Sequence, residues 1–218
     1  MNFLSQLDAV LFDCDGVLVD SETLANRALL QSLQDINLPM TEAEVAETFT
    51  GHSFPDCIKR IEARLGASVP TDFIDNNRRY FRDLMVSSLE PMPGVPAMLA
   101  QLPLPFAVVT NSQTRELGIK LEHTGLDKFF APERRFDAES MGVAKPDPAI
   151  YQRAATSLGL DIRRCLIIED SHPGLTAATL SGAKVWAYRP HPTAEELKAF
   201  DIGRVFQEWD EFLALLKS

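Results

Sequence analysis

Cysteine is scarce in this chain, and no two cysteines lie close together. The 218 residues include three of them, Cys14, Cys57 and Cys165, without a C-x-x-C motif. An odd number of widely spaced cysteines is not the pattern of a disulfide framework. We therefore expect reduced thiols in a cytoplasmic protein, and we interpret Cys14 as a packing residue.

Long apolar runs and an excess of positive charge are also missing. No stretch approaches the roughly 20 apolar residues of a membrane-spanning helix, and the N-terminus lacks the basic and apolar regions of a signal peptide. The formal net charge is −10, whereas a general nucleic-acid surface needs clustered positive charge. We expect no membrane or nucleic-acid partner, and any phosphate site must be built locally.

Two pairs of acidic residues follow short apolar runs. Asp13 and Asp15 come directly after the run at 9–12, and Glu169 and Asp170 end a second run far downstream. Such runs are typical of buried strands, and ligands bind at the carboxyl ends of strands in an open parallel sheet. Acids so close repel each other unless a cation or a proton divides them. Mg²⁺ binds to carboxylates, water and phosphate oxygens, so the pattern predicts a magnesium site.

Two further segments carry polar groups that suit a phosphate. Thr110 and Asn111 end a third apolar run, and the backbone N–H groups at the start of the following helix suit an anion. Ser112 is expected to cap that helix. Lys145 stands before a Pro-Asp-Pro segment, and taken alone it is an ordinary surface lysine.

In their order along the chain, these segments resemble the four motifs of the haloacid dehalogenase superfamily. The motifs are Asp13-x-Asp15-Gly16-x-Leu18-x-Asp20-Ser21, Thr110-Asn111, Lys145-Pro146 and Glu169-Asp170-Ser171. The resemblance covers essentially the whole chain. It is nearest to the β-phosphoglucomutase-like sugar-phosphate phosphatases, which include phosphogluconate phosphatase-like members. It implies a Rossmann-like α/β core, a doubly wound parallel sheet, with an inserted helical-bundle cap domain.

The spacing of apolar residues along the chain supports this division into two parts. Residues 22–89 have helical spacing of apolar positions and no convincing strand, with Asp20 expected to cap the first helix and a capping box at Thr41-Glu44. From residue 91 strands alternate with helices, which is typical of a doubly wound parallel sheet. The expected domains are a catalytic core, 1–20 and 91–218, and a helical cap domain, 21–90.

The resemblance implies a chemical role for each motif residue. Asp13 would be the nucleophile that forms an aspartyl-phosphate, and Asp15 would protonate the leaving oxygen and then activate water. Lys145 would neutralise the nucleophile and the transferring phosphoryl group. The expected substrate and phosphate contacts are Thr110, Asn111, Ser21, His52 and Arg78. The expected Mg²⁺ ligands are Asp13, Asp15 through its backbone carbonyl, and Asp170. Glu169 is expected either to bind the ion directly or to support one of these ligands without touching the ion.

The four histidines have no metal-ligand spacing. His52 lies in a loop between two predicted helices, and in relatives the matching loop faces the substrate. His123 and His191 are expected at the surface.

These roles predict a Mg²⁺-dependent phosphatase, a monomer, that acts on a small phosphorylated metabolite. The resemblance points to sugar or sugar-acid phosphates, such as 6-phosphogluconate or fructose 1-phosphate. A phosphosugar mutase is the alternative. Ala25 and Phe54 stand where the mutases carry a histidine and an arginine that hold the substrate, and this favours hydrolysis. An alternative of another class is a non-catalytic phosphometabolite-binding protein, against which the intact motif residues argue.

Overall fold

The computed structural model describes residues 3–50, 52, 54–189 and 191–218. The chain separates into two compact units, Met1–Val19 with Glu90–Ser218, and Asp20–Leu89. The domains predicted from the sequence had bounds one residue away from these. That the first unit is a catalytic core and the second a cap domain stays a prediction.

The described residues form ten α-helices and six strands. The strands are β1 (Ala9–Phe12), β2 (Phe106–Thr110), β3 (Arg135–Asp137), β4 (Cys165–Glu169), β5 (Lys184–Tyr188) and β6 (Arg204–Phe206). The helices are α1 (Ser21–Asp35), α2 (Glu42–Phe49), α3 (Phe54–Leu65), α4 (Phe73–Ser88), α5 (Val95–Gln101), α6 (Thr114–His123), α7 (Ala138–Met141), α8 (Ala149–Ser157), α9 (His172–Ser181) and α10 (Trp209–Lys217).

All six strands of this part of the chain lie in one sheet, in the order β3-β2-β1-β4-β5-β6. Every neighbouring pair is parallel, which confirms the predicted doubly wound sheet. The chain runs outward from β1 to β3 and then returns to the other side of β1. β1 and β4 are therefore neighbours where the winding reverses, and ligands bind in the crevice at such a point. β6 was not predicted because it has three residues, two of them exposed.

Helices cover both faces of the sheet, which is why its central strands are apolar throughout. Leu11 and Ile167 share one core cluster with residues of α8 and α9. On the opposite face Phe12 packs edge-on against Trp209 of α10, with ring centroids 5.8 Å apart. Alternate residues of a strand point to opposite faces, so burial on both sides requires a run without polar residues.

The Asp20–Leu89 unit is a bundle of four helices with its own apolar core. Asp20 caps α1 by accepting a hydrogen bond from the backbone of Thr23, and the predicted capping box at Thr41 and Glu44 is confirmed. The core cluster of this bundle comprises Leu29, Leu33, Val45, Phe49, Cys57, Ile61 and Phe73. In the part of the chain that the structure describes, no helix has the length and apolar composition needed to cross a membrane.

Candidate active site

The strand register brings the two acidic motifs together. Phe12 of β1 pairs with Ile168 of β4, and the backbone N–H of Asp13 donates to the Ile168 carbonyl at 3.0 Å. Asp13 and Glu169 therefore follow adjacent, in-register positions at the carboxyl edge of the sheet. Both side chains are buried, so the structure holds two carboxylates side by side out of water.

Lys145 lies between these two carboxylates. Its Nζ donates to Asp13 Oδ1 and forms an ion pair with Glu169 Oε1 at 2.6 Å. The lysine that looked like an ordinary surface residue is buried. The side-chain amide of Asn111 fixes the Lys145 backbone, accepting from its N–H at 2.8 Å and donating to its carbonyl at 3.1 Å.

Glu169 is held entirely by protein donors. Tyr151 donates its hydroxyl to Oε1 at 2.6 Å, beside the ion pair from Lys145. The backbone N–H of Asp170 and the hydroxyl of Ser171 donate to Oε2 at 3.2 and 3.3 Å. Since both oxygens are bonded and the residue is 0% exposed, the geometry favours Glu169 as an anchor for Lys145 over a direct metal ligand.

Asp170 has one oxygen that is bonded and one that is not. Its Oδ2 lies 3.1 Å from Nε2 of His191, and the His191 backbone N–H donates to the Asp170 carbonyl at 2.8 Å. His191, which was expected at the surface, is half-buried, with its side chain 24% exposed. Asp170 Oδ1 is buried and has no hydrogen-bond partner among the described residues. Gly16 borders this carboxylate so closely that a Cβ would lie 2.0 Å from Oδ2.

Burial and mutual repulsion dominate the electrostatics of this group. Burial raises the pKa of Asp13 well above its ordinary value, opposed by Lys145 and reinforced by the neighbouring carboxylates. Burial also raises the pKa of Asp170 to about 6, against the effect of the His191 hydrogen bond. Burial alone would lower the pKa of Lys145, but the charges of Asp13 and Glu169 outweigh it and raise that pKa. One buried ammonium thus faces three carboxylates.

The same group fits a hard divalent cation. Asp13, Glu169 and Asp170 each offer an oxygen, and these oxygens lie within 4.8 Å of one another. The buried Asp170 Oδ1 has no hydrogen-bond partner among the described residues, which would be costly if no cation bound there. Carboxylate oxygens are the donors that Mg²⁺ and Ca²⁺ take.

The Asp15 carboxylate contacts helix α6, which carries none of the predicted motifs. Lys120 of α6 contacts Asp15 Oδ2 at 2.7 Å, and the Ser112 hydroxyl donates to the same oxygen at 3.2 Å. Ser112 was expected to cap α6; that prediction was wrong, because Gln113 takes the N-cap position without a side-chain bond. The available signal for Lys120 was its place on the apolar face of α6, between Leu117 and Leu121.

Thr110 is buried at the end of β2, and its hydroxyl bonds with Ser112. The Asn111 side chain is engaged by Lys145, so any phosphate contact at these two positions would involve backbone N–H groups as well. Their role as phosphate ligands stays a prediction.

The other predicted substrate residues belong to the helical unit. Ser21 is the first residue of α1 and is buried. His52 and Arg78 line one pocket of about 450 Å³, together with Ala25 and Phe54. Ligand pockets commonly measure ~300–1,000 Å³. The structure thus brings His52 and Arg78 to one cavity of the helical unit.

A family model described as haloacid dehalogenase-like hydrolase matches residues 7–182. The chain is 27% identical over 190 residues to 6-phosphogluconate phosphatase of Escherichia coli (strain K12), covering 87% of this chain and 86% of that protein.

Two solved structures are similar over nearly their whole length. A HAD family hydrolase from Deinococcus radiodurans R1 with bound phosphate and sodium is 31% identical, with a TM-score of 0.86 and coverage of 97% of this chain and 95% of that one. A putative β-phosphoglucomutase from Thermotoga maritima is 23% identical, with a TM-score of 0.78 and coverage of 97% and 99%. The second likeness shows the fold alone.

Proposed function

Because the chain belongs to the haloacid dehalogenase-like hydrolase family, we propose that it is a Mg²⁺-dependent phosphatase that hydrolyses a small phosphorylated metabolite. The observation that carries the proposal is the buried group at the ends of β1 and β4. There Asp13 is paired with Lys145, and Asp170 has an unbonded oxygen nearby. A carboxylate held at a strand end beside an ammonium is suited to attack phosphorus.

The reaction has two steps with Asp13 as nucleophile. First, an Asp13 oxygen bonds to phosphorus and the bond from phosphorus to the ester oxygen breaks, while Asp15 gives its proton to that oxygen and the alcohol leaves. Next, a water oxygen bonds to phosphorus, its proton goes to Asp15, and the phosphorus–Asp13 bond breaks. Phosphate leaves and both carboxyl groups return to their starting states. Positioning and charge neutralisation supply most of the rate in phosphoryl transfer.

Mg²⁺ suits this site, because all of its donors are oxygens and because Mg²⁺ is commonly bound through one or two carboxylates together with substrate phosphates. When bound, it would neutralise charge on the phosphoryl group. Asp13 and Asp170 would hold it through their carboxylates and Asp15 through its backbone carbonyl. Glu169 would keep Lys145 directed at the nucleophile.

A sugar or sugar-acid phosphate is the substrate class that we propose. The pocket of the helical unit combines apolar walls with the charged Arg78 and the polar His52, a lining that suits a polyol carrying an anionic group. The relative named 6-phosphogluconate phosphatase supports the same class. Ala25 and Phe54, which line this pocket, lack the groups with which mutases hold a bisphosphate, so we propose hydrolysis over transfer.

Phosphate release by the purified protein tests this function. We expect turnover of p-nitrophenyl phosphate with Mg²⁺, its loss in excess chelator, and a strong loss of metal affinity in Asp170→Ala. A panel of sugar phosphates then defines the substrate. β-Glucose 1-phosphate with a trace of the bisphosphate should give free phosphate; stoichiometric glucose 6-phosphate instead would establish a mutase. Binding of sugar phosphates without any turnover would establish a non-catalytic binding protein.

Two adjacent arginines of α4, Arg78 and Arg79, allow a test of whether the pocket binds the substrate. Arg78→Ala should change kcat/KM among sugar phosphates by about tenfold, which corresponds to the low end of a hydrogen bond to a charged group, and should change p-nitrophenyl phosphate turnover far less. Arg79→Ala is the matched control, because Arg79 lies over the Tyr80 ring and is not among the residues that line the pocket. Equal effects of the two variants on the sugar phosphates would contradict a substrate role for Arg78.

A further inference from the structure

Lys120 is a buried lysine that the reaction above does not use. Its side chain is 2% exposed, yet its Nζ lies 2.7 Å from Asp15 Oδ2 and 2.6 Å from Glu116 Oε1. The Ser112 hydroxyl is a third neighbour at 2.7 Å. An ammonium has three hydrogens to donate, and here three oxygens receive them. Because a buried charge is costly unless it is paired, such a complete set of partners fixes the position of the ammonium.

Lys120 and Ser112 approach the same oxygen of Asp15. Both donate to Oδ2, and the Asp15 side chain is 37% exposed. Two donors from rigid elements, one in helix α6 and one in the loop before it, fix the plane of the carboxylate. Because Oδ2 accepts hydrogen bonds from an ammonium and a hydroxyl, the proton of the acid form is carried on Oδ1.

We propose that Lys120 is a positioning residue for Asp15. It holds the carboxylate through Oδ2, so that Oδ1 gives the proton to the leaving oxygen and later takes one from water. This inference rests on the proposed function, since Asp15 transfers a proton only in that reaction. Lys120 lies 105 residues from Asp15 in sequence. The contact therefore links the first motif to helix α6, which contains no residue of the four motifs.

Loss of the contact between Lys120 and Asp15 should lower kcat/KM most for esters whose leaving group needs a proton. p-Nitrophenolate departs as a stable anion, whereas phenolate is a poorer leaving group and gains more from protonation. General acid catalysis contributes about 10²–10⁴-fold when the acid is correctly placed. The value of kcat/KM covers the steps up to release of the phenol, so it isolates this proton transfer from the later attack of water.

The experiment measures kcat/KM with Mg²⁺ for p-nitrophenyl phosphate and phenyl phosphate, two esters of similar shape. In Lys120→Met we expect the value for phenyl phosphate to fall about tenfold further than that for p-nitrophenyl phosphate, because the variant keeps Asp15 and loses only part of a general-acid effect of about 10²–10⁴-fold. Lys120→Arg, which keeps a cation, should recover part of the difference. Ser112→Ala should shift the ratio in the same direction by less.

Glu116→Gln is the matched control, because it removes the other ion-pair partner of Lys120 and keeps the contact with Asp15. Its ratio should equal that of the wild type. An equal loss for both esters in Lys120→Met, or an equal shift in Glu116→Gln, would overturn the positioning role while leaving the phosphatase intact. If Lys120→Met does not fold, Ser112→Ala decides, and an unchanged ratio overturns the role. Absence of any wild-type turnover would remove the proposed function, and this inference with it.

Discussion

Asp13→Asn separates the catalytic role of Asp13 from its effect on stability. The substitution keeps the shape of the side chain and its Oδ1 acceptor but removes the nucleophilic charge. We expect turnover to fall by about 10³-fold or more, as for other enzymes that lose a nucleophile. We also expect the variant to unfold at a higher temperature than the wild type when a chelator removes metal ions.

The expected stability gain follows from the charges around Asp13. Its oxygens lie within 4.8 Å of those of Glu169 and Asp170, and at an effective dielectric constant of ~20 each repulsion is worth about 3.5 kcal/mol or more. The ion pair with Lys145, taken at a usual separation of ~2.8 Å, is worth about 6 kcal/mol on the same scale. The two repulsions together, about 7 kcal/mol, are nearly cancelled by this attraction. The desolvation of the charged carboxylate, several kcal/mol per ion, adds to the repulsion because it also disfavours the charged form.

Removing the charge should therefore stabilise the metal-free protein by at least about 1 kcal/mol, the excess of the two repulsions over the attraction, with the desolvation cost in addition. For a protein of this size each kcal/mol corresponds to a rise in Tm of ~2–4 °C. The sign agrees with the raised pKa of Asp13, which is caused mainly by burial. A carboxyl group whose pKa is raised by folding destabilises the folded state progressively as the pH rises from its unfolded pKa of about 3.9 to its folded pKa. The higher Tm of Asp13→Asn relative to the wild type should therefore disappear below a pH of about 3.9, where the carboxyl group is protonated in both the folded and the unfolded protein.

Thermal unfolding with and without Mg²⁺ is the assay, alongside phosphate release. Mg²⁺ should raise the Tm of the wild type more than that of Asp13→Asn, because the variant has lost a negatively charged ligand. A lower Tm for the variant in chelator would refute the charge argument. Near-normal turnover with a phosphoenzyme would refute the assignment of the nucleophile.

Two further predictions concern the residues that hold the acidic group. His191→Leu removes the contact to Asp170 Oδ2 and should weaken Mg²⁺ affinity, measured by calorimetry, about 10–100-fold. His191→Gln can still donate a hydrogen bond and should retain most of the Mg²⁺ affinity. Equal losses of affinity in the two variants would show that the contact does not orient Asp170. Gly174→Ala places a Cβ 1.9–2.1 Å from the carboxylate atoms of Glu169 and should cost about 3 kcal/mol or more in chemical denaturation. Gly118→Ala, where nothing lies within 4 Å of the added Cβ, is the control that should be neutral or stabilising, and similar effects of the two alanines would contradict the clash.

The sequence by itself determined the sheet and the place of its acidic motifs. The apolar run at 9–12 and the one before Glu169 have no polar alternation, and a strand of that kind is stable only between two layers of helices. Since both runs end in acids, parallel pairing places the acids at one edge of the sheet. The helical unit was also readable, because its capping box at Thr41 and its apolar spacing are local signals.

Tertiary structure decided which side chains complete the site. Lys120 and His191 reach Asp15 and Asp170 from distant segments, and no local pattern records such a contact. The same holds for Glu169, whose Oε1 accepts a hydrogen bond from Tyr151 of α8, 18 residues earlier in the chain. Strand β6 is too short and too exposed to stand out from a loop. Local patterns specify elements through burial and backbone preference, whereas pairs of buried charges depend on register and on the packing of helices far apart in sequence.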